Sequence, residues 1–257
     1  MMADASDATA ADARRARCRP AADHDERQTH APTGRHDFVY LDGRTRACSL
    51  AGPHDAATRR AIRAWLDAGW PFVVRQQGDI DDRRIALGLA LPPGDGKRRI
   101  ALTVERTCVA RMIVPPALED VLDGLPAGWQ TLLGPLAARS RLAGFTFRVF
   151  GSVAWQALTG LAYVTASSDI DLVWQPRSRT DLARGVALLA DWQRGSRVRA
   201  DCEIVFPRGD AVAWREWIKR PSHARVLVKR LDGPRMCAAD ELLLTFDPVG
   251  IDARAAH

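Results

Sequence analysis

From His36 onwards, apolar and polar positions alternate in blocks whose spacing changes from one block to the next. The run HDAATRRAIRAWLDAG puts Ile62, Trp65 and Leu66 on one face at helical spacing, with Gly69 suited to the position just past the end. PFVVRQ then has the apolar density of a strand. RRIALGLALPP and KRRIALTVE, two apolar-rich runs around GDG, read as a β-hairpin. PPALEDVLDGLPAGWQTLLGPLAARSRLAG follows with a helical pattern interrupted by Pro and Gly, as expected of a bridge between domains.

Beyond it the pattern sharpens. FTFRVFGS reads as a strand entering a Gly-Ser turn, and VAWQALTGL as an apolar helix with Ala154, Leu158 and Leu161 at helical spacing. SSDIDLVW is a strand, TDLARGVALLADWQRG a helix and VRADCEIVFP a further strand. That succession predicts an α/β domain with a mixed sheet. The expected fold class is therefore α+β, in five parts: a disordered leader over residues 1–35, a small α+β domain over 36–115, a helical connection over 116–143, the α/β domain over 144–235 and a tail over 236–257. The leader is expected because its Ala, Asp, Arg and His residues show no apolar periodicity.

Composition adds limits. The 257 residues have room for one large or two small domains, and no segment approaches the roughly 18 uninterrupted apolar residues of a membrane span. The first residues show no hydrophobic block of a signal peptide, so the cytoplasm is the expected compartment. The net charge of +6 permits a polyanionic substrate. Lysine occurs only at Lys97, Lys219 and Lys229, so the excess is arginine, which with abundant alanine reflects compositional bias rather than a nucleic-acid partner. Cys18, Cys48, Cys108, Cys202 and Cys237 are odd in number and scattered, with no CxxC pair, and read as free thiols. The isolated His36 and His223 read as ordinary solvated side chains, and Trp155, Trp174, Trp192, Trp214 and Trp217 as packing residues.

The candidate chemistry lies in Gly151-Ser152 followed by Asp169-Ile170-Asp171. On a strand, alternate side chains share a face, about 6.6 Å apart, so Ile170, Leu172 and Trp174 point inward while Asp169 and Asp171 project together. Two such carboxylates can hold Mg²⁺ with substrate phosphates, and a two-metal site would stabilise attacking and leaving oxygens of an in-line displacement. Gly151 permits close backbone approach, Ser152 adds a hydroxyl, and the helix N-terminus offers N–H groups to a phosphate. In VRADCEIVF, Ala200, Cys202, Ile204 and Phe206 share one face, leaving Asp201 and Glu203 on the other as alternatives for a third carboxylate and general base. Lys229, Arg230 and Arg148 are candidates to neutralise a triphosphate. These residues predict a nucleotidyltransferase: a Mg²⁺-dependent enzyme that moves a phosphoryl-linked group and releases diphosphate.

VFGSVAWQALTGLAYVTASSDIDLVW, taken with RADCEIVFPRGDAVAWREW and RVLVKR, resembles the malonate decarboxylase holo-[acyl-carrier-protein] synthases, also called phosphoribosyl-dephospho-CoA transferases. HDFVYLD, GWPFVVRQ and LGLALPPGDGKRRIALTV resemble their first domain, so the likeness runs from about His36 to Arg230. One departure is Cys202, where that pattern has glycine; a thiol is tolerated there if it packs inward. The resemblance implies a reaction in which triphosphoribosyl-dephospho-CoA is joined through a phosphodiester to a serine of the acyl-carrier subunit of malonate decarboxylase, with loss of diphosphate. It further implies that Gly151 and Ser152 hold the leaving diphosphate and that Asp169 and Asp171 hold Mg²⁺. The rival expectation keeps the same site but uses ATP or CTP and another acceptor, such as a tRNA, a small molecule or a protein. A non-catalytic nucleic-acid binder would leave carboxylates beside a Gly-Ser turn without a purpose, since they repel phosphates.

Overall fold

The structure, a computed structural model, describes residues 34–42, 54–78, 80–221 and 223–247. The leader expected over residues 1–35 lies, up to residue 33, outside the described residues, as do Cys18 and Cys48. Helices and mixed sheets make this an α+β protein, as expected.

The first sheet contains β1 (Phe38–Leu41), β2 (Phe72–Val74), β3 (Arg84–Ala90), β4 (Arg99–Glu105) and β5 (Val109–Ile113), in the order β4-β3-β2-β1-β5 and antiparallel throughout. The predicted hairpin is β3 with β4, in register from Arg84 opposite Glu105 to Ala90 opposite Arg99. Helix α1 (Ala56–Asp67) starts where the Asp55 carboxylate accepts the Thr58 amide at 2.7 Å, satisfying a donor that the first turn leaves unpaired. Its apolar face buries Ile62 and Trp65, and the Trp65 indole donates to the Pro71 carbonyl at 2.9 Å. Leu66 packs partly buried beside them.

The expected bridge forms α2 (Leu118–Val121), a single 3-10 turn and α3 (Ala127–Leu142). The second sheet then assembles from β6 (Arg148–Phe150), β7 (Ile170–Trp174), β8 (Ala200–Val205), β9 (Ala211–Ala213), β10 (Arg225–Lys229) and β11 (Pro234–Ala238). Its order is β11-β10-β9-β8-β7-β6, and only the β7–β8 pair is parallel. Four helices join it: α4 (Gly151–Thr159), α5 (Arg179–Gly195), α6 (Trp214–Lys219) and α7 (Ala239–Leu244). The parallel pair requires a crossover, which α5 supplies on the core face. There Gly185 lets α5 sit on the Trp174 ring, because a Cβ at that position would lie 2.1 Å from the indole. Ile170, Leu172, Trp174, Ala200, Cys202, Ile204 and Phe206 all turn to this buried face, as their alternation predicts. Cys202 thus packs inward, which answers its departure from the family pattern.

Three expectations are corrected. Residues 236–244 are not a tail, because they finish β11 and form α7, whose Leu242 is buried. Leu161 falls outside α4, because Gly160 takes up a left-handed conformation (φ +72°) that ends the helix first. Cys108 is disulfide-bonded rather than a free thiol, since pairing depends on proximity in the fold and not on spacing along the chain; Cys202 and Cys237 are free. No helix among the described residues is long and apolar enough to cross a membrane.

The two sheets share one apolar core. Trp155 of α4 meets Phe38 of β1 and Trp65 of α1 edge to face, at centroid distances of 5.3 and 5.5 Å. This contact fixes the start of α4, where the candidate site lies, against the first sheet.

Candidate active site

β6 passes directly into α4, and the turn between them is built by Phe150, Gly151 and Ser152. Gly151 has φ +62°, and a Cβ there would stand 1.8 Å from Oδ2 of Asp171, so any side chain would occupy the place of that carboxylate. Pairing explains the approach: Phe150 lies opposite Asp171 on one side, and Asp201 lies opposite it on the other, in the parallel β8. Adjacent strands are about 4.8 Å apart, so cross-strand side chains on one face must meet. Asp169, one residue ahead of β7, completes the group. Asp169, Asp171 and Asp201 each offer an oxygen within 4.8 Å of the others.

The negative charge of Asp171 is disfavoured where it sits. Burial pushes the Asp171 carboxyl up to about 7, and the negative charges of Asp169 and Asp201 add to the rise. Arg99, reaching from β4 of the first sheet, acts in the opposite direction. Asp201 is flanked by Arg199, with its Nε at 3.1 Å, and by the Nε of Arg215 at 4.0 Å.

Glu203 shares the face of Asp201 but does not join the trio. It is 5% exposed, and its two oxygens meet Nζ of Lys229 at 2.8 Å and Nε2 of His36 at 2.9 Å, with Arg35 at 3.5 Å. Burial works to raise its carboxyl, but the hydrogen bond and charge of His36, the charge of Arg35 and the hydrogen bond from Lys229 hold it well below the usual carboxylate range. By position Asp201, and not Glu203, lies with Asp169 and Asp171, and Lys229 is engaged with Glu203. Arg230 bonds Asp210 and Asp232, and Arg148 donates to the Pro115 carbonyl at 2.9 Å.

His36 overturns its expectation of ordinary solvation. Its side chain is 15% exposed and its ring stacks on Phe150 at 3.8 Å, directly ahead of Gly151. Its backbone holds φ +68°, a conformation uncommon outside glycine. No local signal marks this role, since Glu203 is 167 positions away. Arg99 and Arg215 escaped the sequence reading for the same reason. His223, by contrast, is exposed and meets Asp240 at 2.8 Å.

The loop between α4 and β7 is pinned at Tyr163 and Val164. Gln156 of α4 accepts the amides of Tyr163 and Val164 at 3.1 and 2.9 Å, and the Tyr163 hydroxyl donates to the Ala90 carbonyl of β3 at 2.6 Å. Two halves of the molecule thus frame one acidic face.

Family comparison matches those halves separately. Residues 34–115 match the phosphoribosyl-dephospho-CoA transferase MdcG N-terminal domain, and residues 117–240 match the phosphoribosyl-dephospho-CoA transferase MdcG C-terminal domain. The chain belongs to the phosphoribosyl-dephospho-CoA transferase family. Curated relatives bearing that name include one from Xanthomonas campestris pv. campestris (strain 8004), 42% identical over 204 residues, which cover 79% of this chain and 93% of the relative. One from Bradyrhizobium diazoefficiens is 38% identical over 72% of this chain and 82% of its own length. One from Pseudomonas aeruginosa is 32% identical, with 67% of this chain and 80% of the relative covered. No solved structure matches the chain. In this member of the family the acidic trio and the Gly-Ser turn lie in the C-terminal match, while His36 and Arg99 reach the same face from the N-terminal match.

Proposed function

We propose that the chain transfers the 2′-(5″-phosphoribosyl)-3′-dephospho-CoA group from its triphosphate precursor to a serine of the acyl-carrier subunit of malonate decarboxylase, releasing diphosphate. The family supports the transferred group. The observation that carries the chemistry is the convergence of Asp169, Asp171 and Asp201 beside the Gly151-Ser152 turn.

The trio fits a divalent cation, because three carboxylates meet there and the cost of keeping Asp171 charged is relieved by a positive ion. In this reading Asp169, Asp171 and Asp201 hold Mg²⁺, which when bound neutralises charge on the triphosphate and on the departing diphosphate. Gly151 keeps the space beside Asp171 open, and the hydroxyl of Ser152 with the free amides of the first turn of α4 receives phosphate oxygens. The carrier's serine oxygen forms a bond to the α-phosphorus as the bond from that phosphorus to the bridging oxygen of diphosphate breaks. Asp201 takes the serine proton; Glu203 is unsuited to this, because His36, Arg35 and Lys229 hold its carboxyl so far below the usual range that it is a weak proton acceptor. Lys229 and His36 act through Glu203 and Phe150 to keep the turn in place.

The test combines the purified protein with Mg²⁺, triphosphoribosyl-dephospho-CoA and the apo acyl-carrier subunit, with an EDTA control. A metal-dependent mass gain on the carrier equal to the prosthetic group, with one diphosphate per transfer, is expected. Diphosphate release from ATP or CTP in place of that gain would keep the site and move the reaction to another acceptor.

A further inference from the structure

A second site lies on the same face of the second sheet. Side chains of one strand face alternate, so Val173 shares the face of Asp171, and Val205 that of Asp201 and Glu203. Arg148 pairs with Val173, and Ala211 with Val205, which puts them on this face too. Arg148, Val173, Val205 and Ala211 all line a cavity of about 400 Å³ at the far ends of β7 and β8. The step from Asp171 to Gln175, which also lines it, is four residues, or about 13 Å of extended chain.

The cavity is cationic. Arg35, Arg148 and Arg177 line it against one carboxylate, Asp37, which already accepts the Gly34 amide at 2.7 Å. Two of the guanidinium groups are fastened to carbonyls of the cavity wall, Arg148 to Pro115 at 2.9 Å and Arg177 to Gly144 at 2.7 Å, and Arg177 also meets the carboxylate of Asp181 at 3.4 Å through its Nε. Each arginine carries five N–H donors, so these anchors aim the forks while leaving donors for a ligand. Arg35 is the link to the acidic trio's side of the face. It meets Glu203, yet its Nε is buried with no hydrogen-bond partner among the described residues. A buried donor of this kind calls for an acceptor.

We propose that this cavity binds the diphosphate bridge of the dephospho-CoA portion of the substrate, with Arg35, Arg148 and Arg177 as its cationic contacts. The inference rests on the proposed reaction for the identity of the ligand. In that substrate the reacting phosphate and the diphosphate bridge are separated by a ribose and an adenosine, a span that the distance between trio and cavity accommodates. A volume of this size suits part of a ligand rather than the whole.

The experiment is a calorimetric titration of the full chain with 3′-dephospho-CoA in EDTA, which removes metal binding at the trio from the measurement. Arg148→Gln and Arg177→Gln are each expected to weaken this binding about tenfold, the usual scale for one lost charge-assisted contact. The KM for the triphosphate precursor should rise by a similar factor with kcat nearly unchanged. Pantetheine, which lacks phosphate, should bind far more weakly and without sensitivity to either substitution. Arg177 has a side chain 74% exposed, so its variant carries the test if Arg148→Gln fails to fold. Folded variants with unchanged affinity and KM would overturn the cavity assignment while transfer by the wild type stands. Arginine-dependent binding by a protein that transfers nothing would uphold the cavity and overturn the proposed reaction.

Discussion

Gly151 and Asp171 occupy mutually exclusive space: a methyl group on the first would sit 1.8 Å from a carboxylate oxygen of the second. Two residues identified from the sequence as separate halves of a site are thus one steric unit. Gly151→Ala should therefore displace Asp171 and also force alanine into a left-handed backbone, at a combined cost of about 2–4 kcal/mol. Transfer activity is expected to fall at least about a hundredfold. A denaturant midpoint and a diphosphate-release assay on the same preparation check both parts; near-normal activity would rule out the packing described for the turn.

Asp171→Asn separates catalysis from stability. Transfer should be abolished, while the metal-free protein becomes more stable at pH 8. The Asp171 carboxyl is pushed up to about 7 in the folded protein, above its ordinary value. Its contribution to stability is thus present in full below the unfolded value and lost as the pH rises through about 7. Removing the charge restores that loss, with an upper bound of roughly 4 kcal/mol from about 1.4 kcal/mol per pH unit. Urea unfolding in EDTA at pH 5 and pH 8 should show the larger gain at the higher pH, and Mg²⁺ should narrow it by stabilising the wild type.

Glu203→Gln should act with the opposite sign. The Glu203 carboxyl is held below its ordinary value, so its contribution is present above the unfolded value and lost only as pH falls through the folded one. Leaving Lys229, Arg35 and His36 around a neutral amide is expected to cost about 3–5 kcal/mol at pH 7, the range for breaking a buried ion pair. The difference from wild type should shrink in strong acid. An equal loss at every pH would point to packing alone.

His36→Asn tests the stack on Phe150. Asparagine tolerates a positive φ better than most residues, so the backbone should hold while the ring contact is lost. A fall in kcat of about tenfold, with KM for the precursor little changed, is expected if the ring fixes the catalytic turn. His36→Val, unable to adopt that backbone without strain, should in addition lower the melting temperature.

How much of this was legible along the chain varied with the range of the interactions. The run of Ile170, Leu172 and Trp174 announced Asp171 and, one residue ahead of the strand, Asp169, because alternation is a local property. The same alternation put Asp201 and Glu203 on one face and could not choose between them. Their difference is decided by His36 and Lys229, which arrive from 167 and 26 positions away. β11 escaped notice because PRMCA, an edge strand with Met236 half exposed, has no alternating pattern to read. Cys108 escaped as a disulfide partner because a disulfide depends on proximity in the fold, which spacing along the chain does not encode.

The stack of His36 on Phe150 also bears on where the molecule divides. Residues 34–37 precede the first sheet in the chain, but Arg35 and His36 spend their side chains on Glu203 of the second. Exchanging halves between this chain and another member of the family at the junction near residue 116 would part this chain's His36 from its own Phe150 and Glu203. Hybrids should work best when the short stretch ahead of β1 travels with the carboxylate-bearing half, making the functional seam discontinuous in sequence though continuous in space.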